Sequence, residues 1–319
     1  MSQNKPILIV DALNAFARHY CANPTMTENG DPAGGFVGFI KSIGSLCSYF
    51  NPKSVIIVWE SGGNQKRRDI SGGTYKDNRR PQSLNRYYEN DIPNTWENHN
   101  WQMSLTVEAL KCLPVRQIYV KGTEADDVIG YICRYKYPDD DIVVVSSDRD
   151  LYQLIGPRIK QWSLNQKKLI DGDEVLKKFG CTPQNFCSVR SFVGDASDNI
   201  EGVKGAGFKT LSKRFPQVAG EEFVSVESLI ESAGQQMKEK NVQVFNSMVE
   251  GAEEAKKNWR LMYLDISNMT GDQVKRVEYQ LGTSPPQPNK MELLKILLRE
   301  GLKSVDITTT YINIKACTQ

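Results

Sequence analysis

The sequence predicts an α/β fold, a mostly parallel central sheet flanked by helices, running into a second part that is helical. Three observations carry this expectation. Short β-branched runs alternate with amphipathic stretches through the first half of the chain. The central runs are continuously apolar rather than alternating, as in parallel strands buried on both faces. From about residue 172 onward the β-signals fade and helical patterns take over.

Taken in order, ILIVD (7–11), SVIIVWE (54–60), RQIYV (116–120), DIVVVSS (141–147) and IKQWSL (159–164) read as strands. Helical patterns lie between them in GFVGFIKSIGSLCSYF (35–50), SLTVEALKCL (104–113) and EADDVIGYICRYK (124–136). That alternation is the pattern of a doubly wound layer architecture. The stretch 61–103 breaks the rhythm: it is polar, basic and rich in Asn and Gly, with Tyr75, Tyr87, Tyr88, Trp96 and Trp101. A connection of that length is usually functional or disordered. Beyond 172 helical patterns dominate, and GTSPPQPNK (282–290) is a turn-rich connector.

Composition narrows the chemistry. The 319 residues carry only two histidines, His19 and His99, and seven scattered cysteines without a CxxC pair. Histidine-rich metal sites, zinc ribbons and thioredoxin-type motifs are therefore excluded. No apolar run is long enough for a membrane span, and the N-terminus lacks a signal peptide's basic start and cleavage site, so a cytosolic protein is expected. Catalysis has to rest on carboxylates, amines and hydroxyls.

The net charge of +2 hides a strong local pattern. Residues 66–86 hold seven bases against two acids, and 204–214 hold Lys204, Lys209, Lys213 and Arg214 with no acid. Residues 121–150 hold eight acids against four bases. An acidic patch between two basic ones suits a polyanionic substrate.

The acids recur where predicted strands end. Asp11 closes the first strand and Glu60 the second; Glu124, Asp126 and Asp127 follow the third; Asp148 and Asp150 follow the fourth. In an open α/β sheet, ligands bind in the crevice beyond the carboxyl ends of the strands. Thr123-x-x-Asp126 and Ser147-x-x-Asp150 each match a capping box, and singly each acid is better explained as a cap or a solvated group. Together they form a rim of like charges that raise one another's pKa, a conflict that a hard divalent cation removes. That many oxygen ligands could hold two ions roughly 3.5–4 Å apart. Asp139, Asp140 and Asp141 precede a strand and are assigned to a solvated turn.

A second pair, Asp195 and Asp198, sits in GDASDNIEGVKGAGFKTL (194–211), one helical turn apart. There Gly202, Gly205 and Gly207 lead into Lys209 and Thr210. Such a turn is most often a plain helix–helix connection. Beside a basic stretch it suits a backbone cradle for phosphate.

These blocks resemble the 5′ nucleases, the 5′–3′ exonucleases and flap endonucleases, and look closest to stand-alone bacteriophage enzymes and the 5′-nuclease domains of bacterial DNA polymerases. VDALNAFAR, VWE followed by RR and TYKDNR, GTEADDVIG, SSDRDLYQL and GDASDNIEGVKGAGFKTL match family blocks in order and approximate spacing, from residue 7 to about 215. The resemblance implies a PIN-like nuclease domain over 1–180 with a helical arch at about 61–103. It also implies a helical DNA-binding domain over 181–319, with a helix-three-turn-helix at about 185–215.

By matching motif positions, the resemblance places Asp11, Glu60, Glu124, Asp126 and Asp148 at a first metal site, with Asp127 in support. Asp148, Asp150, Asp195 and Asp198 would hold a second ion. It implies that Lys76 and Arg79 neutralise the scissile phosphate beside Asp148, that Tyr75 stacks on a base, and that Arg18 and either Arg67 or Arg68 steer phosphate. Gly202, Gly205, Gly207, Lys209 and Thr210 would grip duplex DNA.

The implied cofactors are two Mg²⁺, replaceable by Mn²⁺, with K⁺ at the helix-three-turn-helix. The implied substrates are DNA with a 5′ flap, overhang or nick and RNA/DNA hybrids, cut by a monomer in replication and repair. A single-strand-binding protein or a clamp is the kind of protein partner that follows. The sequence departs from the family in Glu60, where Asp is usual, in Asp11-Ala12-Leu13-Asn14 in place of Gly-Thr after the first acid, and in one extra residue between Glu60 and Tyr75, so that Arg67 and Arg68 compete for one role. With no polymerase blocks after the matched ones, the chain is expected to act alone or to be recruited.

Two rivals are a branched-DNA-binding relative that does not cut and a PIN-type ribonuclease. The complete acidic set argues against the first, and the 194–211 block against the second. An aspartyl-nucleophile phosphatase would want DxD after the first strand, where the chain has Asp11-Ala12-Leu13.

Overall fold

The structure, a computed structural model, describes residues 5–60, 62–63, 65–76, 96–239 and 242–317. The apolar runs form the strands β1 (Ile7–Asp11), β2 (Ser54–Trp59), β3 (Arg116–Tyr119), β4 (Ile142–Val145), β5 (Ile159–Ser163) and β6 (Lys168–Ile170). They make one sheet in the order β3-β2-β1-β4-β5-β6. The first five are mutually parallel and β6 pairs antiparallel with β5. The β4 residues are all buried, which is why that run lacks alternation.

The helices are α1 (Ala12–Ala22), α2 (Gly34–Phe50), α3 (Gln65–Ile70), α4 (Trp96–Leu110), α5 (Ala125–Tyr131), α6 (Gly172–Phe179) and α7 (Pro183–Val193). They continue with α8 (Phe208–Arg214), α9 (Val226–Glu239), α10 (Gln243–Glu250), α11 (Ala252–Met262), α12 (Gly271–Gly282), α13 (Lys290–Arg299) and α14 (Thr308–Ala316). Among the described residues no helix is long and apolar enough to cross a membrane.

Four elements differ from the sequence expectation. Helix α1 follows β1 without a break, because Asp11 caps it by accepting from the Asn14 amide at 3.2 Å. Helix α4 begins eight residues before the expected 104, inside the polar stretch 61–103, and Trp101 packs against the core there. The helix expected over 124–136 is α5 followed by a wider turn over Ile132–Lys136. The short edge strand β6 was not expected; only Ile170 of its three residues is buried, too little for a period to show. Residues 77–95, which include Arg79, Tyr87 and Tyr88, lie outside the described residues.

One sheet face is covered by α1, α2 and α4, with Leu293, Ile296, Leu297, Tyr311 and Ile314 of α13 and α14 in the same core. The other face packs on α5, with Leu264, Met269, Val277 and Leu281 completing it. A third core joins α6 to α11 around Phe179, Phe186, Phe192, Phe215 and Phe245. Residues 264–317 thus return to the sheet, and the third core, which includes Tyr152 just after Asp150, stands beside its carboxyl-end rim.

Candidate active site

Strand direction builds the site. Because β1, β2, β3 and β4 are parallel, the acids after them share one rim. Asp11, Asn14, Glu60, Lys76, Glu124, Asp126 and Asp148 line a cavity of about 220 Å³ there. Asp11 also accepts from the Ser146 hydroxyl at 2.9 Å, and Asp148 accepts from the Asp150 amide at 2.9 Å. Neither capping box forms. Glu124 takes the N-cap position of α5 without a side-chain cap bond, and the turn at Asp150–Leu154 follows Arg149 with none.

A second acidic group lies beside the rim. Single carboxylate oxygens of Asp150, Asp195 and Asp198 are all within 4.8 Å of one another. Asp195 caps the short turn Ala196–Asp198, accepting from the Ser197 amide at 2.9 Å. Arg190, on α7, bridges two members of the group: its Nε lies 2.6 Å from Asp150, and Nη2 pairs with Asp195.

The cations are placed less as expected. Arg67 is 2 % exposed; its guanidinium pairs with Glu124, with Asp126 at 3.2 Å and with Asp127 at 2.7 Å. Arg68 is exposed. Tyr75 is buried with its hydroxyl donating to Glu124 at 3.1 Å, so its ring offers no open stacking face in this arrangement. The Lys76 ammonium stands 2.7 Å from the same Glu124 carboxylate. Arg18 is half-buried and donates to Asn165.

Burial dominates the electrostatics. It pushes Asp11 up to about 7, helped by the Asp148 and Asp126 charges and opposed by the Asn14 amide. Burial likewise pushes Asp150 up to about 7, against the pull of Arg190. Asp148 is raised by burial and by Asp126 and Asp198. At Asp126 burial also pushes upward, but Arg67 and Lys76 together outweigh it and hold the carboxyl below the usual range.

The linkage sign follows. Between pH about 4 and 7 the folded chain keeps protons on Asp11 and Asp150 that the unfolded chain releases, so their contribution to stability falls as pH rises. A divalent cation bound to the ionised acids reverses that loss. The increment in melting temperature given by millimolar Mn²⁺ is therefore expected to grow between pH 5 and 7.5. Thermal scans with and without the ion check this; an increment equal at both ends would refute it.

The glycines of the 194–211 block differ in what holds them. A Cβ on Gly202 would meet the Val193 carbonyl oxygen at 2.1 Å, and Gly205 has φ +80°, so the fold itself requires both. Gly207, the N-cap of α8, has φ −77° and nothing within 4 Å of a Cβ built on it. Lys209 is exposed and Thr210 half-buried just beyond.

The family model for the 5′–3′ exonuclease N-terminal resolvase-like domain matches residues 6–180. The chain is also 30 % identical over 241 residues to a 5′–3′ exonuclease of Bacillus subtilis, covering 73 % of this chain and 75 % of that protein. The chain belongs to the 5′–3′ exonuclease family. A member from Aquifex aeolicus is 26 % identical across 95 % of this chain and 96 % of its own length. Among solved structures, the bacteriophage T5 flap endonuclease, in a pseudo-enzyme–product complex with DNA and metal ions, superposes with a TM-score of 0.69. It is 19 % identical and covers 86 % of this chain and 97 % of that one, a likeness of fold.

Sequence reasoning missed several residues that complete this family member's site. Arg190 is the sole charged residue of α7 and stands five positions before Asp195, the one signal that could have found it. Ser146 and Asn14 brace the first rim: the Asn14 amide oxygen accepts from the Ser147 N–H at 2.9 Å. Asn268 donates to Asp127 at 2.9 Å from a segment without any recognised block.

Proposed function

We propose that this chain is a structure-specific 5′ nuclease that hydrolyses DNA phosphodiesters as flap endonuclease and 5′–3′ exonuclease. The observation that supports it best is the convergence of Asp11, Glu60, Glu124, Asp126 and Asp148 with Lys76 on one cavity, next to the Asp150–Asp195–Asp198 group. Those donors are all carboxylate oxygens, and two of them are held protonated to about pH 7 by burial, the condition that hard divalent cations relieve. The residues present therefore fit divalent metal use: two Mg²⁺, or Mn²⁺ in their place, with the first held from Asp11, Glu60, Glu124, Asp126 and Asp148, supported by Asp127, and the second from Asp148, Asp150, Asp195 and Asp198. Bound ions supply charge neutralisation on the phosphate and activation of the attacking water.

The chain's own groups do the rest. Lys76 brings an ammonium to the cavity wall, where it offsets charge developing on a phosphoryl oxygen. Arg79 would join it from the arch. Arg67 keeps three carboxylates in place and, being buried, leaves phosphate steering to Arg68 and Arg18. Tyr75 reaches a base only if its ring leaves the Glu124 contact.

The division into a 1–180 nuclease part and a helical 181–319 part belongs to the same reading, with residues after Leu264 packed on the sheet. The substrate is DNA carrying a 5′ flap, overhang or nick, or an RNA/DNA hybrid, met by a monomer in the cytoplasm of a bacterial or phage-infected cell. A clamp or single-strand-binding protein would recruit it, and K⁺ would sit on the turn at 202–207. The test is cleavage of a flap-labelled 5′-flap duplex in Mg²⁺ and in EDTA. Metal-dependent products near the junction support the reading, and tight binding without cleavage in Mg²⁺ or Mn²⁺ overturns it.

Gly207 supports the duplex grip, because neither its φ nor its neighbours in the chain require a glycine. Gly207→Val is expected to weaken duplex binding about tenfold and to lower the salt slope by roughly one ion, as loss of one phosphate contact would. Fluorescence anisotropy at several salt concentrations measures both. Wild-type affinity and slope would remove Gly207 from the interface.

A further inference from the structure

We propose that Asn199 is a positioning residue that sets where Lys76 stands, by holding residues 74–76 on the Asp195–Asn199 turn. The inference rests on the nuclease reading for its catalytic consequence and on geometry for the anchoring. The Asn199 side-chain amide donates to the Thr74 carbonyl at 3.0 Å, across 125 positions of sequence. One residue earlier, the Asp198 carbonyl accepts from the Lys76 N–H at 3.0 Å. Together these bonds grip residues 74–76 from both sides of Tyr75, whose hydroxyl bonds Glu124, as does the Lys76 ammonium.

The backbone at this junction is unusual on both sides. Lys76 has φ 61° and Asn199 φ 59°. Asn tolerates the left-handed region, whereas a lysine adopts it uncommonly and is held there best where its surroundings restrain it. Here the Asp198 carbonyl and the Glu124 carboxylate supply that restraint. The Asn199 turn also carries Asp195 and Asp198 of the three-acid group. The lysine of the first rim is thus located from the turn that bears the second group, and order at one is passed to the other through Asn199.

Two variants separate the side-chain bond from the backbone. Asn199→Gly keeps access to positive φ and removes the amide; Asn199→Asp keeps size and left-handed tolerance but turns a carboxylate toward the Thr74 carbonyl. Hydrogen exchange read by mass spectrometry over residues 68–76 is expected to accelerate at least about fivefold in both, with the remaining peptides at wild-type protection. Single-turnover kinetics on a 5′-flap duplex are expected to show a maximal rate about tenfold lower with half-saturation within about twofold, because a misplaced group costs rate more than binding.

If the wild type cleaves, unchanged exchange at 74–76 in both variants overturns the inference, and so does a loss confined to half-saturation. A wild type that does not cleave overturns the nuclease reading and the catalytic consequence with it, while exchange still decides the anchoring. Should Asn199→Gly lose its cooperative melting transition, Asn199→Asp decides.

Discussion

Asp148→Asn is expected to lower the single-turnover rate on a 5′-flap duplex by at least about a thousandfold while leaving DNA affinity equal or slightly tighter. Asp148 lines the rim cavity and sits one residue from Arg149 and two from Asp150, so it faces both acidic groups. The Asp126 and Asp198 charges both act on its carboxyl. Asparagine has the same shape, and its amide oxygen can keep the bond from the Asp150 N–H that now runs at 2.9 Å. What the substitution removes is one negative charge in a crowded carboxylate field. The fold therefore stays and the repulsion toward a phosphate backbone falls, whereas the capacity to hold a divalent ion drops. Rapid-quench assays in Mg²⁺, with anisotropy in EDTA for affinity, separate the two effects. Wild-type turnover in the variant would sink the metal assignment, and a matching loss of binding would point to a structural role instead.

Much of this site was legible because the rule behind it is topological. Once the runs at 7–11, 54–60 and 141–147 are read as parallel strands, the acids that follow them must share a rim, and they do. The pair Asp195 and Asp198 was legible from its spacing, and both lie against Asp150. What stayed hidden has physical reasons. The phase of α3 cannot be read from a six-residue polar helix, so nothing in the pattern told buried Arg67 from exposed Arg68. An arginine is ordinarily a surface residue, and only pairing with three acids brings Arg67 inside. Tyr75 looked like a stacking ring because its motif position says nothing of the Glu124 partner 49 residues away. The return of α13 and α14 to the sheet rests on apolar faces that any packed helix would show.

The buried arginine gives the largest expected effect on stability. Arg67→Met removes the counter-charge of Glu124, Asp126 and Asp127 in a place where Arg67 is 2 % exposed and Asp127 is 1 % exposed. Breaking a buried ion pair from one side costs about 3–5 kcal/mol, because the other charge is left uncompensated. Asp126 fixes the pH dependence. Its folded pKa is depressed by Arg67 and Lys76 against the push of burial, so in the wild type it contributes stability that is present above the unfolded pKa and lost as pH falls through the folded value. Without Arg67 only Lys76 and the Asp127 amide oppose the push of burial, so the carboxyl rises and the variant lacks the stability that the wild type gains as pH rises from about 4. The gap between the two proteins is therefore expected to be small near pH 4 and widest near pH 8, while Arg68→Met, at an exposed position, leaves stability within about 0.5 kcal/mol. Urea titrations of both variants at the two pH values check it. An equal gap at both, or a larger loss from Arg68→Met, would mean that the acids are not held by the guanidinium and that α3 is fixed to the sheet by something else.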